Sequence, residues 1–189
     1  MLIGARTGAW SGAKPTGTPI ITTFGGQYFK ILNGAQNWPC FRFFAKFNII
    51  TTNQFCGKYH SIGYSLNIGV RKSMFSVGLG LGDIINISNA DLAYHTFEVD
   101  SKSGFSAVDG IRIDFTGRQY YSGDIGVFAC QDGTAKCHMS MAWFEWGLNS
   151  KYLRRYIPYK DGDEVGMIQD DGTKFALAGA EYSEDIIEL

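Results

Sequence analysis

The sequence predicts an all-β protein, an antiparallel two-sheet sandwich over residues 21 to 189 preceded by an extended arm over residues 1 to 20. Three observations carry this. Apolar and polar residues alternate through much of the chain, the pattern of half-buried strands. Glycine supplies 24 of 189 residues, against a usual share of about 7%, enough for many tight turns. No stretch of about ten residues or more holds apolar positions at helical spacing, so at most a helical turn or two is expected, around Leu148 to Leu153. A chain of this length can form one domain that buries roughly two-thirds of its unfolded surface.

Residues 1 to 20 differ in composition from the rest of the chain. Gly4, Gly8, Gly12, Pro15, Gly17 and Pro19 interrupt every run, and Trp10 is the large aromatic of the segment. Such a stretch has no pattern with which to bury itself on its own domain. It is expected to be an assembly arm that packs on a neighbouring subunit or another protein, with Trp10, Arg6 and Lys14 as its candidate contacts.

From Gln27 the period-2 pattern takes over. Phe41, Phe43, Ala45, Phe47 and Ile49 alternate with Arg42, Lys46 and Asn48, with Phe44 as the break. Tyr64, Leu66, Ile68 and Val70 face Phe75, Val77, Leu79 and Leu81 across Arg71-Lys72, which reads as a hairpin. His95, Phe97 and Val99 continue the alternation, then Ile111, Ile113 and Phe115, then Ile125, Val127 and Ala129. Between them, Asp83 to Asp91 carries neither pattern nor motif.

The densest signal runs from Met139 to Ala178. Met139, Met141 and Trp143 alternate with Ser140 and Ala142, while Phe144 and Trp146 bring apolar bulk to the opposite register, as in one long strand buried on both faces. A basic and aromatic segment and Ile157-Pro158 come next. Two further strand-like runs, Val165 to Gln169 and Thr173 to Leu177, flank Asp170-Asp171-Gly172, a hairpin signal because Gly takes positive φ at no steric cost. Short strands without a repeat of about 40 residues argue against a propeller, and the long double-faced strand suits the middle of a sandwich.

Arg155-Tyr156-Ile157-Pro158, the charged turn Lys160 to Glu164, Val165-Gly166-Met167-Ile168-Gln169-Asp170 and Gly172-Thr173-Lys174-Phe175 resemble the C-terminal signature of laminin-G-like domains. A second piece, His95 to Val99, Gly104 to Val108 and Asp109-Gly110-Ile111-Arg112-Ile113, is similar to that family's strand, strand, Asp-Gly turn, strand unit. The resemblance implies a concanavalin A-like jelly roll. It also implies a place among virion proteins of tailed phages and prophages of gut bacteria, crAss-like phages among them.

Charge names no partner. Lys and Arg number 17 against 18 Asp and Glu, a net charge of −1, so no broad attraction to nucleic acid or anionic membrane is expected. No apolar run approaches the roughly 20 residues of a membrane span, and Met1-Leu2-Ile3 is short for a signal-peptide core. The expectation is a soluble protein made in a cytoplasm. There Cys40, Cys56, Cys130 and Cys137 are expected as reduced thiols; Cys130 and Cys137, on either side of a turn, are the pair placed to meet if any does.

Catalytic and metal signatures are missing. His60, His95 and His138 fit no metal-ligand spacing, and His95 sits where a hydrogen-bonded core histidine would. A glycosidase on such a fold needs two carboxylates flanking the scissile bond, and Glu145 is alone on the long strand. It reads as a satisfied or edge-exposed carboxylate. Asp161, Asp163 and Glu164 are a possible calcium loop, but turn chemistry explains Asp-Gly-Asp without an ion. Trp143 and Trp146 read as core, leaving Trp38 as the candidate for stacking on a sugar. The acidic tail, Glu181, Glu184, Asp185 and Glu188, reads as a solvated end. No enzyme and no cofactor is therefore expected. The favoured function is a virion structural protein: a head-decoration or head-fibre protein, or a tail-associated module, bound to its own copies or other virion proteins and in contact with host-surface glycans. The alternative is a free-standing lectin-like protein or glycosidase of a gut bacterium.

Overall fold

The computed structural model describes residues 18–61, 64–71, 73–80, 84–115 and 123–184. The strands are β1 (Ile20–Phe24), β2 (Phe29–Ile31), β3 (Pro39–Phe47), β4 (Gln54–Ser61), β5 (Tyr64–Arg71), β6 (Met74–Gly80), β7 (Ile84–Asn89) and β8 (His95–Asp100). After these come β9 (Phe105–Val108), β10 (Ile111–Asp114), β11 (Ile125–Val127), β12 (His138–Leu148), β13 (Lys151–Asp161), β14 (Glu164–Gln169), β15 (Lys174–Ala176) and β16 (Glu181–Ser183). They form two antiparallel sheets. The large one has ten strands in the order β10-β9-β8-β3-β12-β13-β14-β15, with β1 beside β12 and β16 beside β1; the small one runs β2-β11-β4-β5-β6-β7. Among the described residues there is no helix, so none is long and apolar enough to cross a membrane.

The core is the space between the sheets. From the large sheet come Phe41, Phe43, Phe47, Phe97, Met139, Met141, Phe144 and Tyr156, and from the small one Phe29, Ile31, Cys56, Ile68, Val70, Phe75, Ile125 and Val127. Phe43 stacks on Phe97 at 4.9 Å and on Phe144 at 5.9 Å. Phe75 meets Phe97 edge-on at 5.2 Å and so ties the sheets together. Each fully buried phenyl ring contributes about 1.5–3 kcal/mol, and paired rings add about 0.5–1.5 kcal/mol.

Register sets which residues face that core. β12 pairs with β3 over Met139↔Phe47 to Leu148↔Pro39, with one irregularity between Met141 and Trp143. The bulge at Ala142 inverts the side-chain alternation. Met139 and Met141 point inward, then Phe144, with Trp146 packed against the core and donating from Nε1 to the Gly34 carbonyl at 2.8 Å. Trp143, expected in the core, lies instead on the outer face, where it stacks on Phe44 at 6.4 Å. Phe44 interrupts the alternation of β3 because it belongs to that outer face.

The hairpins β5–β6 and β14–β15 form where alternation and the Asp-Gly turn predict them. Three segments differ from expectation. The stretch expected to hold a helical turn, Leu148 to Leu153, is a tight turn between β12 and β13, with Asn149 and Ser150 at φ of 56° and 63°. Two successive left-handed residues match the twist of a hairpin, which helical geometry does not. The basic and aromatic segment is an eleven-residue strand. It accommodates Pro158 because β12 pairs with β13 only as far as Tyr156 and then pairs with β1, so no partner on that flank needs the missing N–H. The unpatterned Asp83 to Asp91 contains β7, paired with β6. Ile20, placed at the end of the arm, is buried and opens β1; the rest of the arm up to Gly17 lies outside the described residues.

Close backbone approach at one bulge gives a direct test. A Cβ on Gly147, beside the irregularity between β12 and β13, would sit 1.8 Å from the Lys151 carbonyl oxygen, whereas one on Gly26 would meet nothing within 4 Å. Urea unfolding should show Gly147→Ala less stable by about 3 kcal/mol and Gly26→Ala within about 0.5 kcal/mol of the parent.

Candidate functional site

The outer face of the large sheet gathers the chain's most interactive side chains. On β3 the outward positions are Cys40, Arg42, Phe44 and Lys46. Across the sheet Arg42 faces Glu98 on β8 and Glu145 on β12, and Glu145 faces Arg155 on β13. Alternating charges therefore run across four adjacent strands. Arg42 Nε donates to Glu145 Oε2 at 2.5 Å, and Arg155 Nη1 donates to Glu145 Oε1 at 3.4 Å. Tyr152 donates its hydroxyl proton to Glu98 at 2.5 Å, and the Arg42 guanidinium lies 4.3 Å over the Tyr152 ring.

Burial works against the charge on Arg42, but the bond to Glu145 and the surrounding anions outweigh it and hold the guanidinium above its ordinary pKa. Burial, then the Glu98 carboxylate, pushes the Tyr152 phenol well up. Burial and the nearby Asp100 push the Cys40 thiol up to about 12, so it is an inert neutral group. Cys56, Cys130 and Cys137 are likewise buried, and none of the four forms a disulfide.

Beside this row lies an aromatic shelf. Tyr94 stacks on Phe44 at 5.4 Å, Lys46 sits 5.3 Å over Tyr94, and Arg155 sits 5.5 Å over Trp143. On the β13–β14 side a pocket of about 190 Å³ opens, lined by Arg155, Ile157, Ile168, Gln169, Asp170 and Gly172. Its position comes from register, because Ile157 and Ile168 are direct partners on the two strands. The face therefore offers stacking, apolar contact and charged hydrogen-bonding groups. Within the row, Glu145 is tied to two arginines and Glu98 accepts from a tyrosine.

A second cluster fixes the loop that carries Tyr94. His95 Nδ1 lies 2.5 Å from Asp109 Oδ2 and Nε2 lies 2.8 Å from Asp91 Oδ1. The two aspartates are also bonded to backbone amides, Asp109 to Thr96 and Asp91 to Ala93. The ring packs edge-on to Phe75 at 4.9 Å. Burial lowers the His95 pKa, but the two carboxylates outweigh it and the pKa is raised.

The residues singled out in the sequence are scattered. Trp10, Arg6 and Lys14 lie outside the described residues. Trp38 is half-buried ahead of β3, and its carbonyl accepts from the Asn149 amide at 2.7 Å. At the proposed calcium turn, Asp161 pairs with Lys174 at 2.7 Å and Glu164 accepts from Tyr159 at 2.6 Å. Among the described residues no group of three or more His, Cys, Asp or Glu side chains is placed to hold a metal ion. Glu145, expected as a satisfied or edge-exposed carboxylate, is bonded to both arginines. Sequence reasoning missed Arg42, Glu98, Tyr152 and Arg155 as one unit; the polar positions of β3 were visible, but their partners lie on strands distant in sequence. No protein-family model matches the chain, and no curated protein matches it.

Removing the shared carboxylate should cost more than removing the set. Glu145→Gln leaves two partly buried guanidinium groups facing a neutral amide and should lower stability by about 2 kcal/mol in urea unfolding, while Arg42→Met combined with Glu145→Leu should recover at least half of that loss.

Stability should also depend on His95. Because the folded pKa is raised above the ordinary value of 6.5, the contribution is complete below that value and is lost as pH rises through the folded pKa. The urea midpoint should therefore fall as pH rises above the ordinary value of 6.5, and His95→Gln should flatten that slope; an identical slope in the variant would assign the dependence elsewhere.

Proposed function

We propose that the protein is a non-enzymatic structural component of a tailed-phage virion, a laminin-G-like jelly roll acting as a head-decoration, head-fibre or tail-associated module. The observation that carries this reading is the clamp on Glu145. A glycosidase of this shape works with one carboxyl free to protonate the leaving group and a second as base or nucleophile. Here Arg42 and Arg155 both bind the single carboxylate of the long strand, and Arg42 stands between it and Glu98, so that carboxylate is engaged in ion pairs rather than presented to a substrate. The two-sheet sandwich and the residues that resemble the virion domains support the same reading, as does the Gly- and Pro-rich arm as a contact to neighbouring subunits.

Contact with host-surface glycans fits the same outer face. The pocket over Ile157 and Ile168 adjoins Arg155 and Trp143, an apolar floor beside groups able to stack and to hydrogen-bond. This also keeps the free-standing lectin in view as the competing assignment.

Cryo-electron microscopy of particles from a phage encoding the chain should show it in many symmetry-related copies, and removing residues 1 to 17 should abolish incorporation while the sandwich still folds. Recombinant protein should release no reducing sugar from bacterial surface polysaccharides. A monomer that binds specific sugars tightly yet never enters a particle, or a hydrolase activity lost in Glu145→Gln, would overturn the assignment.

A further inference from the structure

The large sheet ends at β10, a strand held on one side only. Its register with β9 runs Ile111↔Val108 to Asp114↔Phe105 around the Asp109-Gly110 turn. In a two-residue hairpin the residues flanking the turn exchange both hydrogen bonds, and these pairs then alternate along the ladder. Ile111 and Ile113 therefore bond to β9, and the Phe115 amide continues the series to the Gly104 carbonyl. The amides and carbonyls of Arg112 and Asp114 point away from the sheet, and no described strand pairs with that edge. On the outer face Arg112 reaches Asp114 at 2.6 Å and lies 4.1 Å over the Phe105 ring. On the opposite face Ile111 is 67% exposed.

We propose that β10 pairs antiparallel with β10 of a second copy of this chain, about a twofold axis through Ile113, joining the two large sheets edge to edge. Charge selects that register. A twofold perpendicular to the sheet brings together residues on the same face, so Arg112 can face Arg112, Asp114 can face Asp114, or each can face the other. The first two put like charges directly opposite, which is destabilising; only the third pairs Arg112 with Asp114 twice. In that register the outward amides and carbonyls of Arg112 and Asp114 bond each other in both directions, leaving no edge group of these residues unpaired. Ile113 faces its own copy, and the exposed Ile111 lies opposite Phe115. One register thus accounts for the opposite charges, the open backbone groups and the exposed isoleucine, and it does not depend on whether the protein enters a particle.

Analytical ultracentrifugation of the full chain should show a monomer–dimer equilibrium that weakens at high salt. Arg112→Asp and Asp114→Arg, each placing like charges opposite, should weaken the dimer by about tenfold or more. The combined exchange, Arg112→Asp with Asp114→Arg, should restore it and also shows that the strand tolerates the reversed charges. Amide hydrogen exchange at Arg112 and Asp114 should be slow in the parent and the double variant and fast in the single ones. A strictly monomeric parent, a dimer indifferent to either single change, or a double variant that fails to recover would overturn the pairing.

Discussion

Everything in this molecule hangs on the pairing of β3 with β12. The ladder runs the length of both strands, and its inward side chains, Phe41, Phe43, Phe47, Met139, Met141 and Phe144, are fully buried. Close packing of so many rings leaves little freedom to slide, because a one-residue slip would send the whole set to the other face. The strand pair also positions the outer face. The bulge at Ala142 directs Trp143 outward and lines up Glu145 between Arg42 and Arg155, so the core registry and the candidate site have one origin.

Strands with a clean alternation were legible in the sequence. β3, β5, β6 and β8 declare themselves through period 2, and β14–β15 through Asp-Gly. What could not be read was whatever depends on a neighbour. The period of β12 is broken by a bulge, so a parity argument carried from Met139 through Met141 places Trp143 on the wrong side. β13 hides behind its charge and its proline, since its outward residues meet partners across the sheet and its proline lies where one flank has no partner. The turn at Asn149-Ser150 has no glycine, and its left-handed backbone is signalled only by the tolerance of Asn for that region.

The candidate site was less legible than the fold for the same reason. Arg42 and Glu145 are 103 residues apart, and Glu98 and Tyr152 are 54 apart. Nothing local marks such pairs. Once strand order is known they emerge from cross-strand register, which is why the partners of Glu145 could not be named from the sequence.

Asp109 illustrates how much one short side chain can be asked to do. It holds a left-handed turn position at φ 50°, one carboxylate oxygen receives the Thr96 amide, the other meets His95, and its own amide bonds to the Thr96 carbonyl. Substitutions here are consequently non-additive with changes at His95, because each removes a contact the other shares. Asn keeps the turn and one acceptor while losing the charge; Gly keeps the turn alone. A change at this corner therefore has to be matched by a second one to keep the same contacts, a mutational rigidity that the exposed position of the β9–β10 hairpin would not suggest.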